Sequence, residues 1–296
     1  MKSSIATRFS AAAETYHRLA DIQRRVAVKL MELLASAEPS ASRLGGGWVA
    51  ARQSAATARR RLAEPRTPRR PAPARILEIG CGTGLLTEML SRAFPSSTID
   101  AVDISPAMIK RARDNLAENK SVNWITADAE KIAETKKYPL IASNCALHWI
   151  APIQMIIQKL SVMLEPDGKL VFALMIRGTL LELNSARNRI APHKPPRVTL
   201  PTEADVRKAI NKAGLTICAK KSETIRQEYF SAEKMLKQLH DQGLTGGNKL
   251  DGSNLLTRSE ISSLIADYSR NYKGKKEGNS VYAGYRVFYC AAVKEM

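Results

Sequence analysis

Cysteine is scarce and scattered. Cys81, Cys145, Cys218 and Cys290 form no C-x-x-C pair, which excludes a disulfide framework or a zinc knuckle and leaves four reduced, structural thiols as the expectation. No apolar run reaches the roughly 18 residues that a membrane span needs. Met1-Lys-Ser-Ser-Ile-Ala-Thr-Arg8 also lacks the unbroken apolar stretch of a secretory signal. The expected compartment is the cytoplasm, with no membrane partner. Acids are missing where base is densest: from Arg43 to Arg75 there are nine arginines and no lysine against the single acid Glu64. That strip carries nearly half of the formal net charge of +18. The remaining excess still favours acidic partners, nucleic acid or an acidic carrier protein, through steering that weakens with ionic strength.

What is present is enough for one substantial core with an added subdomain, at 296 residues and 44% hydrophobic content. The chain is organised around Ala74-Arg-Ile-Leu-Glu-Ile-Gly-Cys-Gly-Thr-Gly-Leu-Leu-Thr87. Arg75 to Ile79 suits a buried parallel strand, and Gly80, Gly82 and Gly84 then predict a tight turn into a helix. Glycine lets a ligand lie against the main chain. The spacing is G-x-G-x-G, preceded by Glu78 and with Cys81 between the first two glycines, not the G-x-G-x-x-G that aims a helix N-terminus at a pyrophosphate. An acid beside the turn suits a ligand with positive charge.

The following elements alternate. A helix is predicted from Leu85 to Phe94, a strand from Ser97 to Asp103 with Ile104 after it, and a helix from Ala107 to Glu118 with Ser105 as N-cap and Pro106 at its first position. Val122 to Thr126 reads as a third strand, followed by Asp128-Ala129-Glu130, and Pro139 to Cys145 as a fourth with Asn144 at its end. Ligands of open α/β sheets sit outside such strand ends, and a carboxylate at Asp103 can accept two hydrogen bonds from a ribose diol. Glu78-x-Gly-x-Gly-x-Gly84, with these acids in order, resembles the first motifs of the class I S-adenosylmethionine-dependent methyltransferases. That resemblance implies a Rossmann-like α/β fold with a mostly parallel seven-stranded sheet and helices on both faces. It places S-adenosylmethionine as cofactor on Glu78, Gly80, Cys81, Gly82, Gly84, Asp103, Ile104, Asp128, Ala129 and Asn144, with the Asp128 acid near the adenine amino group.

Residues 1–40 read as an amphipathic helical arm, with Leu19, Ile22, Val26, Leu30 and Leu33 on one stripe. It either crosses the top of the sheet as a lid, with Tyr16 near the methyl donor, or only covers core. Residues 41–74 read as an Arg/Ala/Pro-rich flexible linker or insertion. Residues 75–296 form the main domain. Its later part has a helix from Pro152 to Leu164, a turn at Glu165-Pro-Asp-Gly168 and a strand from Lys169 to Ile176. A polar loop follows from Ala191 to Pro201, then a helix from Glu203 to Ala213 and a strand from Leu215 to Lys221. A helical insertion at about 231–272 precedes a last strand, Val281 to Val293, expected as an antiparallel edge.

Several further segments bring the resemblance closer. Phe9-Ser10, Tyr16 and Gln23 in the arm, Ser143-Asn-Cys-Ala-Leu-His-Trp149, Gly178-Thr-Leu-Leu-Glu-Leu183, Ser231-Ala through Gly243, and Leu256-Thr-Arg-Ser259 are similar to the malonyl-acyl carrier protein O-methyltransferases of biotin synthesis. Position 148 departs from the family, being His where relatives often have Gln, and the 41–74 strip is longer than expected. The family's reaction places a methyl group on the free carboxylate of a malonyl thioester carried by an acidic acyl carrier protein or by coenzyme A. That carboxylate is ionised at neutral pH, so no catalytic acid or base is needed, and the pocket must supply alignment. Tyr16, His148, Trp149 and Arg197 are the candidates for positioning substrate, each with a packing or surface role as the alternative. Lys234, Lys237 and Lys249 are candidates to meet the carrier.

Two other activities fit the same signature. A small-acid, trans-aconitate-like carboxyl methyltransferase would act without a carrier. An RNA methyltransferase would use the basic charge directly, but Ser143-Asn-Cys-Ala-Leu147 replaces the Asn/Asp-Pro-Pro-Tyr common in exocyclic amine methylation, and Cys145 lacks the proline context of a C5-methylating cysteine. Nucleic acid is therefore disfavoured.

Overall fold

The computed structural model describes residues 2–36, 73–150, 152–194, 199–244, 255–275 and 278–295. All of the 41–74 strip but its last two residues, together with Arg197 and Lys249, lies outside the described residues.

Among the described residues, seven strands form one sheet: β1 (Arg75–Ile79), β2 (Thr98–Asp103), β3 (Val122–Thr126), β4 (Tyr138–Asn144), β5 (Leu164–Met175), β6 (Leu215–Tyr229) and β7 (Val281–Lys294). Their spatial order is β3-β2-β1-β4-β5-β7-β6. The first five pair in parallel, while β7 runs antiparallel to both β5 and β6. Ile76, Leu77 and Ile79 of β1 are all buried because helices cover both faces. Ile76, Ile99 and Leu140 face one core layer with α2 (Asp21–Ser36), α3 (Leu85–Ala93), α8 (Ala232–Asp241) and α9 (Arg258–Asn271). Leu77, Ile79 and Ile141 face the other with α5 (Ile153–Val162) and α7 (Glu203–Lys212). Strand order reverses between β1 and β4, which opens a crevice beyond their carboxyl ends.

The arm is two helices, α1 (Lys2–Leu19) and α2, meeting at buried Ala20. Ile22, Val26 and Leu30 of the expected stripe are buried; Leu34 is buried where Leu33 is only partly so. α4 (Pro106–Asn115) starts as read from sequence, with Ser105 Oγ accepting the Met108 amide at 3.2 Å. Capping boxes start α7 at Thr202 and α9 at Thr257, each reciprocated three residues on by Asp205 and Glu260.

Four expectations need correction. The antiparallel strand β7 is not the edge: its residues are almost all buried between β5 and β6, whereas β6 carries exposed residues along most of its length and takes the edge. β6 also runs eight residues past Lys221, because β7 offers a pairing partner as far as Tyr229. Glu165–Gly168 does not separate elements but bulges within β5, with pairing passing from Tyr138↔Leu164 to Leu140↔Lys169 and Asp167 at φ +59°. Finally, a helix not foreseen, α6 (Leu181–Ile190), follows Gly178-Thr-Leu. It buries little beyond Ala186, and Glu182 Oε2 fixes it by accepting the Gly284 amide of β7 at 3.0 Å, a tertiary contact that local pattern does not encode.

Candidate active site

The glycine turn is fastened to the neighbouring strand. The amides of Gly80 and Cys81 both donate to Val102 O, at 2.8 and 3.0 Å, and Gly82 N–H donates to Asp103 Oδ2 at 2.9 Å. Gly80 stands at φ +71°, and a Cβ there would come within 2.1 Å of Ala146 Cβ, so only glycine fits. Gly82, at φ +54°, faces open space on the cleft side. Gly84, in the left-handed region, is the N-cap from which α3 begins.

A cleft of about 790 Å³ opens beyond these strand ends. Gly80, Gly82, Asp103 and Ile104 line it from β1 and β2, Asp128 and Ala129 from the turn after β3, and Asn144 from β4. A smaller lobe of about 300 Å³ shares Tyr16, Gly80, Gly82 and Asn144 with it and adds Glu78, Cys81 and Gln23. Nine of the ten residues expected around the cofactor border one or other of these two adjoining spaces; Gly84 borders neither and caps α3. Asp103 Oδ1 and Oδ2 accept the backbone amides of Ser105 and Gly82, both at 2.9 Å, and the Ile104 amide also bonds this carboxylate. A carboxylate offers about four acceptor sites, so room remains for a ligand hydroxyl. Asp128 also caps its turn, its Oδ1 accepting the Glu130 amide at 3.0 Å.

The arm closes this space from above. Ile5, Phe9 and Tyr16 of α1 line the cleft opposite Trp149 and Ile150. Phe9 sits edge-on to Trp149 with ring centres 5.5 Å apart, and Tyr16 edge-on to Phe9 at 6.1 Å. Polar contacts hold the helix down. Ser10 Oγ meets Ser105 Oγ at 2.8 Å, and His17 Nδ1 lies 3.1 Å from Thr83 Oγ1 and 3.2 Å from Asn115 Nδ2. Its far end is gripped by the insertion, where Thr15 Oγ1 donates to Asp241 O at 3.0 Å and Gln242 Nε2 donates to Leu19 O. Of the two helices of the arm, α1 borders the cleft and α2 packs into the core.

Electrostatics distinguish the two ends of the cleft. Burial pushes the Glu78 carboxyl up to about 8, and the nearby Asp103 charge adds to the effect. Burial raises Asp103 as well, against the pull of its backbone amides. Glu78 Oε2 is buried with no hydrogen-bond partner. A cationic ligand would restore the ionised forms and satisfy that oxygen, so these residues fit a cofactor carrying a sulfonium and an ammonium. At the lid end, burial pushes the Cys145 thiol up to about 12 and raises the Tyr16 phenol further. Cys145 holds φ +54°, its amide bonded to Ala173 O at 2.8 Å.

The substrate-side candidates separate. Tyr16 and Trp149 line the cleft, and the Arg8 guanidinium lies 5.6 Å from the Trp149 ring centre. His148 does not line it. Its Nδ1 accepts the Met175 amide of β5 at 3.4 Å, and burial pushes its imidazole down to about 3, so it is a neutral ring packed against Trp149. Lys234 is exposed on α8, while Lys237 pairs with Asp241 at 2.7 Å. Gln23 was not among the expected site residues. Its place in the arm gave a family resemblance, but only the fold turns its side chain into the smaller lobe.

Among the described residues no helix is long and apolar enough to cross a membrane, and no group of His, Cys, Asp and Glu is placed to hold a metal. Residues 76–168 match the family described as a methyltransferase domain. The YcgJ protein of Bacillus subtilis superposes with a TM-score of 0.52 at 14% identity, covering 76% of this chain and 93% of that one, which shows a shared fold. Malonyl-[acyl-carrier protein] O-methyltransferase 2 of Ilyobacter polytropus is 32% identical over 197 residues, 67% of this chain and 75% of that protein. The malonyl-[acyl-carrier protein] O-methyltransferase of Bacillus cereus is 28% identical over 303 residues, 99% of this chain and 98% of that protein. Glycine turn, acidic strand ends, lid and full-length similarity agree: the chain belongs to the malonyl-[acyl-carrier protein] O-methyltransferase family, S-adenosylmethionine-dependent enzymes of class I methyltransferase fold.

Proposed function

We propose that this protein transfers a methyl group from S-adenosylmethionine to the free carboxylate of a malonyl thioester on an acidic acyl carrier protein, an early step of biotin synthesis in the cytoplasm. The observation that carries the reading is chemical. Tyr16 and Cys145 at the lid end of the cleft are held protonated, and His148, packed behind Trp149, is a neutral ring whose basicity burial depresses. None of them can take a proton from an amine or hydroxyl at neutral pH and act as a base. A carboxylate nucleophile needs none, being ionised above about pH 4.

Bound, S-adenosylmethionine supplies an electrophilic methyl on a positively charged sulfur. The protein's part is to hold and exclude. Asp103 offers its remaining acceptor capacity to the ribose diol, and Asp128 and Ala129 border the nucleobase end of the cleft. Tyr16 and Asn144 border both lobes, which supports a role for them beside the reacting centre. Phe9, Trp149 and Ile150 form an apolar wall against water, and alignment within it can contribute on the order of 7–11 kcal/mol. Arg8 against Trp149 adds positive charge at this wall, suited to an arriving carboxylate. Methylation cancels that charge, so the thioester's tip becomes acceptable to an apolar elongation site. The carrier is drawn by the basic surface, with Lys234 exposed on α8, the helix whose last residue holds α1.

Mass spectrometry of malonyl carrier protein incubated with enzyme and S-adenosylmethionine tests this: a gain of one CH₂ unit on the malonyl group supports it. Gain on malonyl-coenzyme A or a free dicarboxylate but not on the carrier, or on RNA, overturns the substrate assignment.

A further inference from the structure

The arm is fastened to the glycine turn through one titratable side chain. His17 of α1 is half-buried, and its Nδ1 lies 3.1 Å from Thr83 Oγ1 and 3.2 Å from Asn115 Nδ2. Thr83 stands between Gly82 and Gly84, and Asn115 is the last residue of α4. The same Asn115 nitrogen donates to Thr83 O at 2.9 Å. That bond fixes which way the amide faces, because turning it over would set Oδ1 against a carbonyl oxygen. The second N–H of Asn115 is therefore aimed at His17 Nδ1, which must meet it with a lone pair. The proton of the neutral ring sits on Nε2.

A second proton on this ring is poorly accommodated. On Nδ1 it would face the Asn115 N–H, donor against donor, with the Thr83 hydroxyl left as its acceptor. Nearby charges oppose it as well. Arg24 of α2, whose Nη2 donates to His17 O at 3.3 Å, and Arg111 of α4 both repel an imidazolium, while Glu88 of α3 favours one. Glu88 already pairs with Arg92 at 2.6 Å, and Asp21 lies 3.6 Å from Arg24. On α1 itself Glu14 and Arg18 are exposed. Burial first, and then the two guanidiniums, hold the His17 imidazole below its ordinary value, so a closed arm favours the neutral ring.

The other polar holds on α1, Ser10 to Ser105, Thr15 to Asp241 O and Gln242 to Leu19 O, involve no group that titrates near neutrality. We propose that His17 is a pH-sensitive latch: the neutral ring holds α1 on the glycine turn, and a proton gained by the ring releases it. Because the closed arm disfavours the charged ring, its hold is complete above the ordinary imidazole value of about 6.5 and is lost progressively as pH falls below it. Release frees the cleft wall formed by Ile5, Phe9 and Tyr16 from the turn beneath it. The latch is independent of which acyl substrate the cleft takes.

Hydrogen exchange of the ligand-free, full-length protein tests it, with amide protection of α1 followed from about pH 7 to about pH 5.5 and corrected for the intrinsic exchange rate. Loss of the latch should lower α1 protection by about two- to tenfold across that interval, the worth of one hydrogen bond, while β1 and β4 keep theirs. Glu78, raised to about 8, is already mostly protonated there. His17→Asn, which keeps an acceptor near the place of Nδ1 and cannot titrate, should hold α1 equally at both ends. Constant protection in wild type, a loss shared with β1 and β4, or an equal loss in His17→Asn overturns the proposal. Should His17→Asn not fold, nitrogen-15 NMR of wild type decides. A bare Nδ1 at about pH 7 that gains its proton together with the loss of α1 protection sustains the latch. A proton on Nδ1 at that pH, or a titration not matched to that loss, overturns it.

Discussion

Gly82 N–H donates to Asp103 Oδ2 at 2.9 Å, so the glycine turn after β1 and the acid ending β2 are one braced unit. The same carboxylate that is offered to a ribose also holds the loop in shape. Asp103→Asn replaces a charged acceptor with a neutral one on both counts. The loss expected is about 1.5–3 kcal/mol of cofactor binding, read by calorimetry with S-adenosylhomocysteine. A change below a factor of two would mean that Asp103 serves the loop alone.

Gly80 and Gly82 should respond differently to alanine. At Gly80 the new Cβ meets Ala146 Cβ at 2.1 Å and the backbone is left-handed, so Gly80→Ala should destabilise the fold by about 2–5 kcal/mol in denaturant unfolding. At Gly82 the Cβ enters open space in the cleft, and Gly82→Ala should cost only the backbone term, about 1–2 kcal/mol. Its larger effect should be on S-adenosylhomocysteine affinity, since the methyl occupies ligand volume.

Glu78 gives the site a pH signature. Its folded-state carboxyl is raised to about 8 by burial, above the ordinary carboxylate value of about 4.3. The sign follows: the stability of the ligand-free protein tied to this group is fully present below the ordinary value and is lost as pH rises through about 8. Asp103, raised in the same direction, adds to the trend. A cationic ligand pulls Glu78 back to its ionised form, so binding at pH 7 should release roughly one proton. Titrations in two buffers of different ionisation enthalpy measure it, and Glu78→Gln should abolish the release.

The lid's latch should govern exchange. Ser10→Ala and His17→Ala each remove a contact between α1 and the cofactor loop or α4. Each such bond is worth about 0.5–1.5 kcal/mol net, so S-adenosylhomocysteine release should quicken by about two- to tenfold per substitution, followed by Trp149 fluorescence in stopped flow. Unchanged release rates would show that α1 does not gate the site.

The amino-acid sequence determined the cofactor half of this protein. Strand–glycine turn–helix order, Ser105 capping α4, and Glu78, Asp103, Asp128 and Asn144 at successive strand ends are local patterns, because a buried strand followed by a capped helix writes its periodicity and its punctuation into neighbouring residues. Tertiary structure alone decided the rest. Whether β7 or β6 took the sheet edge depended on β7 finding a pairing partner on each side, β5 and β6. α6 exists through Glu182 reaching Gly284, about a hundred residues away in sequence. His148 was set against β5 by its contact to Met175, and α2 was tied at Gln23 O to Asn144 of β4, contacts that no spacing in the chain records. Side chains at helix and strand ends are aimed by what packs against them, and that packing is long-range.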